Sequence, residues 1–221
     1  NKRKSARIRI RSMAQPVKRG AFILLEGIDR CGKSTQTGLL TKFLQNAGHS
    51  VCQLHFPDRD TRIGQMINSY LLETSNLDDR TIHLLFSANR WEASSKIKDA
   101  LSNGTTLIVD RYSYSGVAFS TAKGLDMQWC MAPEIGLPAP DIVLQLSVPI
   151  DVAKSRGGWG NERYEKEAIQ IRVAEVFSEL RTDDWKVIDA SKSVGEIHAQ
   201  IQEIALKTIE SVKFSEIKII K

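Results

Sequence analysis

Gly27-Ile28-Asp29-Arg30-Cys31-Gly32-Lys33-Ser34 is the stretch on which the fold turns. An apolar run, Ala21-Phe22-Ile23-Leu24-Leu25, precedes it, and a run with helical spacing, Thr35 to Asn46, follows it. In that setting the pattern G-x-x-x-x-G-K-S reads as a phosphate-binding loop. Gly27 and Gly32 let the backbone curl until successive N–H groups, Cys31 and Thr35 included, point at a polyphosphate, and Lys33 reaches its outer phosphates. Ser34 is placed to ligate Mg²⁺, and the helix that follows presents its positive N-terminal end.

Working outward, the chain alternates strand-like and helix-like runs. Strands are expected at about 21–26, 50–56, 105–109, 141–148 and 185–189, and helices at about 33–47, 63–72, 78–103, 150–156, 165–181 and 194–212. Short helical or irregular segments fill about 115–135. This order predicts an α/β fold, a five-stranded parallel sheet flanked by helices in a single domain. In such sheets ligands bind beyond the carboxyl ends of the strands, where the loop and Asp110-Arg111 both fall. Gly157-Gly158-Trp159-Gly160 reads as a flexible segment, the centre of a small lid at about 156–165.

The net charge of +5 invites a nucleic-acid reading until its location is considered. Lys2, Arg3, Lys4, Arg7, Arg9, Arg11, Lys18 and Arg19 lie within the first 20 residues, which hold no acid. Setting them aside leaves fewer basic residues than the 26 acidic ones, so no nucleic-acid partner is expected of the folded body. The expected organisation is a basic leader over 1–20, the domain over 21–212 and a tail over 213–221. Three readings of the leader stay open: organelle targeting, a nuclear or nucleic-acid patch, or a segment with no role in the fold. The chain begins at Asn1, so upstream sequence, or a start at Met13, is compatible with it. Cys31, Cys52 and Cys130 form no C-x-x-C pair, which points to reduced thiols rather than a disulfide framework or zinc site. No apolar run approaches the roughly 20 residues of a membrane span. A cytoplasmic or nuclear protein, or both, is the expectation.

Within the loop Asp29 is informative, because a carboxylate beside a polyphosphate is repelled by it. Either it faces another group, such as a sugar hydroxyl or a protonated acceptor, or it pairs with Arg30. Arg30 itself brings a permanent cation to the phosphates. Asp110 closes an apolar strand, where phosphate-loop proteins place a carboxylate that holds Mg²⁺, directly or through water, and Arg111 follows it as a neutralising cation. Phe86 and Arg90 lie four apart on a long helix and share a face. They make either a core ring with an exposed guanidinium or a platform for a base with a guanidinium at its edge.

Resemblance resolves these choices. FILLEGIDRCGKSTQ (22–36), HFPDR (55–59), HLLFSANRWE (83–92), VDRYSYSGVAFSTAKG (109–124), GLPAPD (136–141) and RGGWGNERYE (156–165) together resemble the eukaryotic type of the thymidylate kinase family, over about 20–212. The resemblance implies transfer of the γ-phosphoryl of ATP to dTMP with Mg²⁺, in a homodimer. It implies catalytic roles for Lys33, Arg30, Asp110 and Arg111, with Arg156 joining the loop residues on ATP. For dTMP it implies Asp29 on the 3′-hydroxyl, Phe86 stacked on thymine and Arg90 at its carbonyl edge. Arg59 and Arg111 would hold the monophosphate, Phe56, Ser115 and Gly116 would line the pocket, and Tyr164 and Gln170 would lie near the sugar. The lid carries no basic residue between Arg156 and Arg163, so Arg30 is the cation expected to act in its place. Trp159, which either stacks on adenine or packs down on closure, is bulky for a mobile flap.

Three other classes stay in view. A deoxynucleoside kinase would act on thymidine rather than dTMP. A switch GTPase lacks support, since no N-K-x-D signature follows a strand and Ser113, not Gly, stands three residues after Asp110. A nucleic-acid-binding protein would depend on residues 1–20.

Overall fold

A computed structural model describes residues 18–157 and 159–221. The expected readings of residues 1–17 lie outside the described residues. Five strands, β1 (Phe22–Glu26), β2 (Val51–His55), β3 (Thr106–Asp110), β4 (Ile142–Ser147) and β5 (Lys186–Asp189), form one parallel sheet in the order β2-β3-β1-β4-β5. The central strands β1 and β3 are buried along their whole length, as continuous apolar runs covered on both faces should be. Among the described residues eight α-helices connect and cover the strands: α1 (Lys33–Asn46), α2 (Arg62–Leu71), α3 (Asp79–Ser102), α4 (Ser113–Ala122), α5 (Met127–Met131), α6 (Ile150–Ser155), α7 (Glu167–Leu180) and α8 (Val194–Val212).

Strand order reverses at β1, which has β3 on one side and β4 on the other, and the register there decides what meets. Leu25 lies opposite Asp110, and the Arg111 N–H donates to the Leu25 carbonyl at 3.0 Å. The loop after β1 and the Asp-Arg pair after β3 therefore open into the same crevice.

Local chemistry sets the helix starts. Asp78 and Thr61 cap α3 and α2 through their side-chain oxygens, and Ser193 with Glu196 forms a reciprocal capping box on α8. The segment expected to be short or irregular holds α4, a full ten residues. The last long helix before β5 begins at Glu167, two residues later than expected, because Glu165 is buried in an ion pair instead.

Both outer boundaries lie further out than expected. Arg19 is buried and grips Asp141 through two bonds of 2.8 and 2.6 Å, while its Nε donates to the Ser215 carbonyl. Arg19 and Gly20 thus belong to the folded body rather than to a leader. The C-terminal stretch packs as well: Ile219 bridges Pro138, and Ile220 is buried in the main core.

Candidate active site

At the carboxyl ends of the strands lies a cleft of about 760 Å³. Its wall includes Asp29, Arg30, Gly32, Lys33, Ser34, Thr35, Phe56, Arg59, Phe86, Arg90, Asp110, Arg111, Ser115, Gly116, Arg156 and Tyr164. Residues from the loop after β1 and from the lid, Arg30 and Glu165 being 135 positions apart, are brought into one space. Three expected site residues do not line it. Gly27 and Cys31 are buried within the loop, and Gln170 is fully buried behind Asp29.

The loop's glycines are needed for shape. Gly27 has φ of 144°, and a Cβ there would stand 2.5 Å from the Leu146 carbonyl oxygen. Gly32, at φ of 103°, precedes α1. Arg30 and Arg111 take the left-handed conformation without being glycine, at φ of 59° and 64°, a strain characteristic of functional positions. Lys33 donates to the carbonyls of Gly27 and Ile28 at 3.2 and 2.7 Å. The Ser34 hydroxyl donates to Asp110 at 2.7 Å, joining two hard oxygen ligands from α1 and β3.

Asp29 does not pair with Arg30, and this corrects one of the readings left open. Its carboxylate receives Arg111 Nη2 at 2.5 Å on one oxygen and the Gln170 amide on the other, while its own N–H donates to Gln170 at 2.8 Å. Gln170 is a positioning residue for Asp29. Arg111 also reaches the Gly27 carbonyl at 3.0 Å and the Ser115 hydroxyl at 2.9 Å. Burial opposes the charge on Arg111, but Asp29, Asp110 and Glu26 together raise its pKa and keep the cation.

On the opposite wall, α3 presents Phe86 and Arg90. Arg90 is held by two bonds to Glu134, 2.8 and 2.6 Å, with both side chains almost wholly buried. Gly116 allows the guanidinium to lie flat on α4, since a Cβ there would come within 2.5 Å of Arg90 Nη2. His83, on the same face of α3, places Nδ1 2.8 Å from the Ser120 hydroxyl and Nε2 3.0 Å from the Cys130 carbonyl. Tyr164 packs on Phe119, with ring centroids 5.4 Å apart.

The lid meets the cleft through carboxylates. Glu165 holds Arg30 at 2.9 Å, and Glu162 holds Arg59 at 2.7 Å while Asn68 takes its other nitrogen. Arg156 bridges the Arg30 and Ala190 carbonyls at 3.2 and 2.7 Å. Trp159 is half-buried against the main core, so it packs inward.

Several participants escape sequence reasoning. Glu26 is the most legible of them, an acid ending an apolar strand just before the loop. It is wholly buried and takes the N–H groups of Tyr112 and Ser115 at 3.0 and 3.1 Å. Nothing local marks Glu134, Glu162, Glu165 or the His83–Ser120 pair, whose partners are distant in the chain.

A family model described as thymidylate kinase matches residues 25–201. The chain is 53% identical to the thymidylate kinase of Arabidopsis thaliana, over 93% of this chain and 78% of that one. It is 48% identical to the thymidylate kinase of Homo sapiens, over 88% and 93%. The solved structure of thymidylate kinase from Candida albicans superposes with a TM-score of 0.81 at 38% identity, covering 92% of this chain and 99% of that one.

Proposed function

The chain belongs to the thymidylate kinase family and transfers the γ-phosphoryl group of ATP to dTMP, and we propose which of its residues do so. One observation carries the assignment: the phosphate loop, the Ser34–Asp110 oxygen pair and the Phe86–Arg90 wall share one cleft. Its volume suits two small substrates meeting end to end.

The loop from Gly27 to Thr35, with Arg156, takes the ATP phosphates. Arg59 and Arg111 take the acceptor phosphate, Phe86 takes the face of thymine and Arg90 its carbonyl edge. Phe56, Ser115, Gly116 and Tyr164 shape the acceptor pocket. The acceptor is a phosphate monoester with a second pKa of about 6, so its attacking oxygen is already deprotonated near neutrality. No general base is required, which leaves Asp29 for the 3′-hydroxyl. Its oxygens already receive Arg111 and Gln170, but each retains a lone pair for that bond. An acceptor oxygen forms its bond to the γ-phosphorus as the bond to the β–γ bridging oxygen breaks, and ADP leaves. The protein's part is positioning and charge neutralisation by Lys33, Arg30 and Arg111.

Ser34 and Asp110 fit Mg²⁺. Both offer hard oxygen atoms, and among the described residues no cluster of three or more His, Cys, Asp or Glu could hold a metal. That matches a cation which borrows substrate oxygens and keeps its waters. When bound, Mg²⁺ would neutralise phosphate charge.

A homodimer is supported by exposed apolar side chains, Leu84 and Trp91 two turns apart on α3 with Met66 on α2. Analytical ultracentrifugation tests it. No helix of the described residues is long and apolar enough to cross a membrane. A cytoplasmic or nuclear location is proposed, and a fluorescent fusion of residues 1–20 tests targeting by that segment.

The test of function is ADP release with ATP and Mg²⁺ against dTMP, dUMP, dCMP, AMP, GMP and thymidine. The expected result is turnover dominated by dTMP, and its absence overturns the proposal. Turnover of thymidine instead would favour the deoxynucleoside kinase reading.

A further inference from the structure

His83 is fully buried on α3, three and seven residues before Phe86 and Arg90, and so on the same helical face. Its two ring nitrogens have unlike partners. A carbonyl oxygen only accepts, so the 3.0 Å contact with the Cys130 carbonyl puts a proton on Nε2. In a neutral imidazole the other nitrogen then holds a lone pair. Nδ1 accepts the proton of the Ser120 hydroxyl, 2.8 Å away. Ser120 has one proton to give, and with it committed the oxygen offers only lone pairs to anything else.

The ring is kept neutral by its surroundings. Burial pushes the His83 pKa below its usual range and the Arg90 guanidinium adds to this, against the opposing Glu134 carboxylate and the Cys130 and Gly116 carbonyls.

Ser120 lines the cleft, four residues or about 6 Å of helical rise beyond the Gly116 on which Arg90 rests. Arg90 is a guanidinium and can only donate. The wall around Phe86 therefore presents a donor and, beside it, an acceptor. Thymine shows the complementary edge, an O4 acceptor next to an N3–H donor. Cytosine shows the reverse, an amino donor next to an unprotonated N3.

We propose that His83 and Ser120 form a polarity relay that makes the Ser120 hydroxyl an obligate acceptor for the N3–H of the base, and thereby a determinant of thymine over cytosine. The proposal rests on the dTMP reading of the same cleft. Ser120 touches the base; His83 is a positioning residue that orients the hydroxyl. Uracil shares the imide edge, so the relay leaves dUMP to be judged by the missing methyl alone.

The experiment compares kcat/KM for dTMP and dCMP in the unaltered chain, Ser120→Ala and Ser120→Thr. Sites built on such bonds reject the mismatched analogue by about 10⁴. Ser120→Ala is expected to lower the dTMP to dCMP ratio at least tenfold with the KM for ATP unchanged, and Ser120→Thr to restore the ratio. A ratio preserved in Ser120→Ala overturns the relay. Nitrogen-15 NMR of the unaltered chain gives a reading independent of any variant's folding, with the His83 signals assigned by their loss in His83→Gln. The neutral Nε2–H tautomer is expected above pH 7, whereas an Nδ1–H tautomer or an imidazolium there overturns the proposal. Absence of dTMP turnover by the unaltered chain overturns the reading beneath it, and the relay with it.

Discussion

Replacing Glu26 tests how the cleft is held together. The side chain is wholly buried, one oxygen taking the N–H groups of Tyr112 and Ser115 and the other the Ser115 hydroxyl at 2.5 Å. That hydroxyl in turn accepts from Arg111 at 2.9 Å, so Glu26 fixes at one remove the arginine proposed to act in catalysis. Glu26→Ala strands two buried N–H donors, each costing about 1–3 kcal/mol, while removing a desolvated carboxylate gives part of this back. The expected net loss is about 2–4 kcal/mol. Glu26→Gln keeps an oxygen for both N–H groups and should cost under about 1.5 kcal/mol. The pH dependence supplies a sign. Burial raises the Glu26 carboxyl above its usual value of 4.5, against the Ser115 hydrogen bond and the Arg111 charge. From that value upward to the raised one, the folded chain holds the proton more tightly than the unfolded chain, so this group's contribution to stability falls as pH rises. Glutamine does not titrate. The stability advantage of Glu26 over Glu26→Gln should therefore narrow as pH rises through the window. Urea unfolding of the three proteins at several pH values measures it. A gap that widens with pH, or an alanine variant as stable as the glutamine one, refutes the reasoning.

Other perturbations have equally definite outcomes. Arg30→Gly should lower kcat by about 10³ or more with little change in the KM for dTMP, since glycine accepts the φ of 59° at that position; stopped-flow ADP release measures this, and unchanged kcat sinks the role. Gly116→Ala should raise the KM for dTMP more than tenfold and leave that for ATP unchanged, because the added carbon would meet Arg90 at 2.5 Å. Glu162→Gln releases Arg59 from a half-exposed ion pair, so the KM for dTMP should fall no more than about fivefold and the urea midpoint should barely move. dUMP should be phosphorylated with kcat/KM about 10 to 200-fold below dTMP, the effect of one methyl in an apolar pocket.

What the sequence discloses here follows chain distance. Gly27 to Ser34, with the apolar run before it and the helix after it, is contiguous, so its periodicities and glycines suffice to identify it. The five strands are legible for the same reason, β1 and β3 as unbroken apolar runs. Pairing partners are not. Arg30 meets Glu165 across 135 residues, Arg59 meets Glu162 across 103, and Arg90 meets Glu134 across 44. A local pattern carries no information on which distant carboxylate a cation will find, because topology decides it. The same blindness hid the Arg19–Asp141 clamp, 122 residues apart, and made the first folded residues look like a leader. Asp29 and Arg30 look like partners because they are neighbours. Asp29 faces Arg111 across the crevice instead, because β1 and β3 are adjacent in register.

Exposure sorts the cleft's ion pairs in the order that the proposed ligand of each cation requires. Arg90 and Glu134 are 3% and 0% exposed, and separating such a pair costs about 3–5 kcal/mol, more than a small ligand recovers from one bond. With Arg90 at the edge of the base, as proposed, this pair stays made, because a neutral base has no charge with which to compete. Arg59 and Glu162 are 37% and 30% exposed, and a pair so hydrated is worth about 1 kcal/mol or less. A phosphate dianion can take that arginine from its carboxylate at little cost. Arg30, 34% exposed beside the buried Glu165, lies between these extremes. With Arg30 and Arg59 on phosphates, as proposed, the lid's two carboxylates hold these cations in place until a phosphate competes for them. On the same assignment Glu134 keeps Arg90 throughout. A fold that must bind a neutral base and several phosphates with the same residue type separates the two tasks by how far water reaches each arginine.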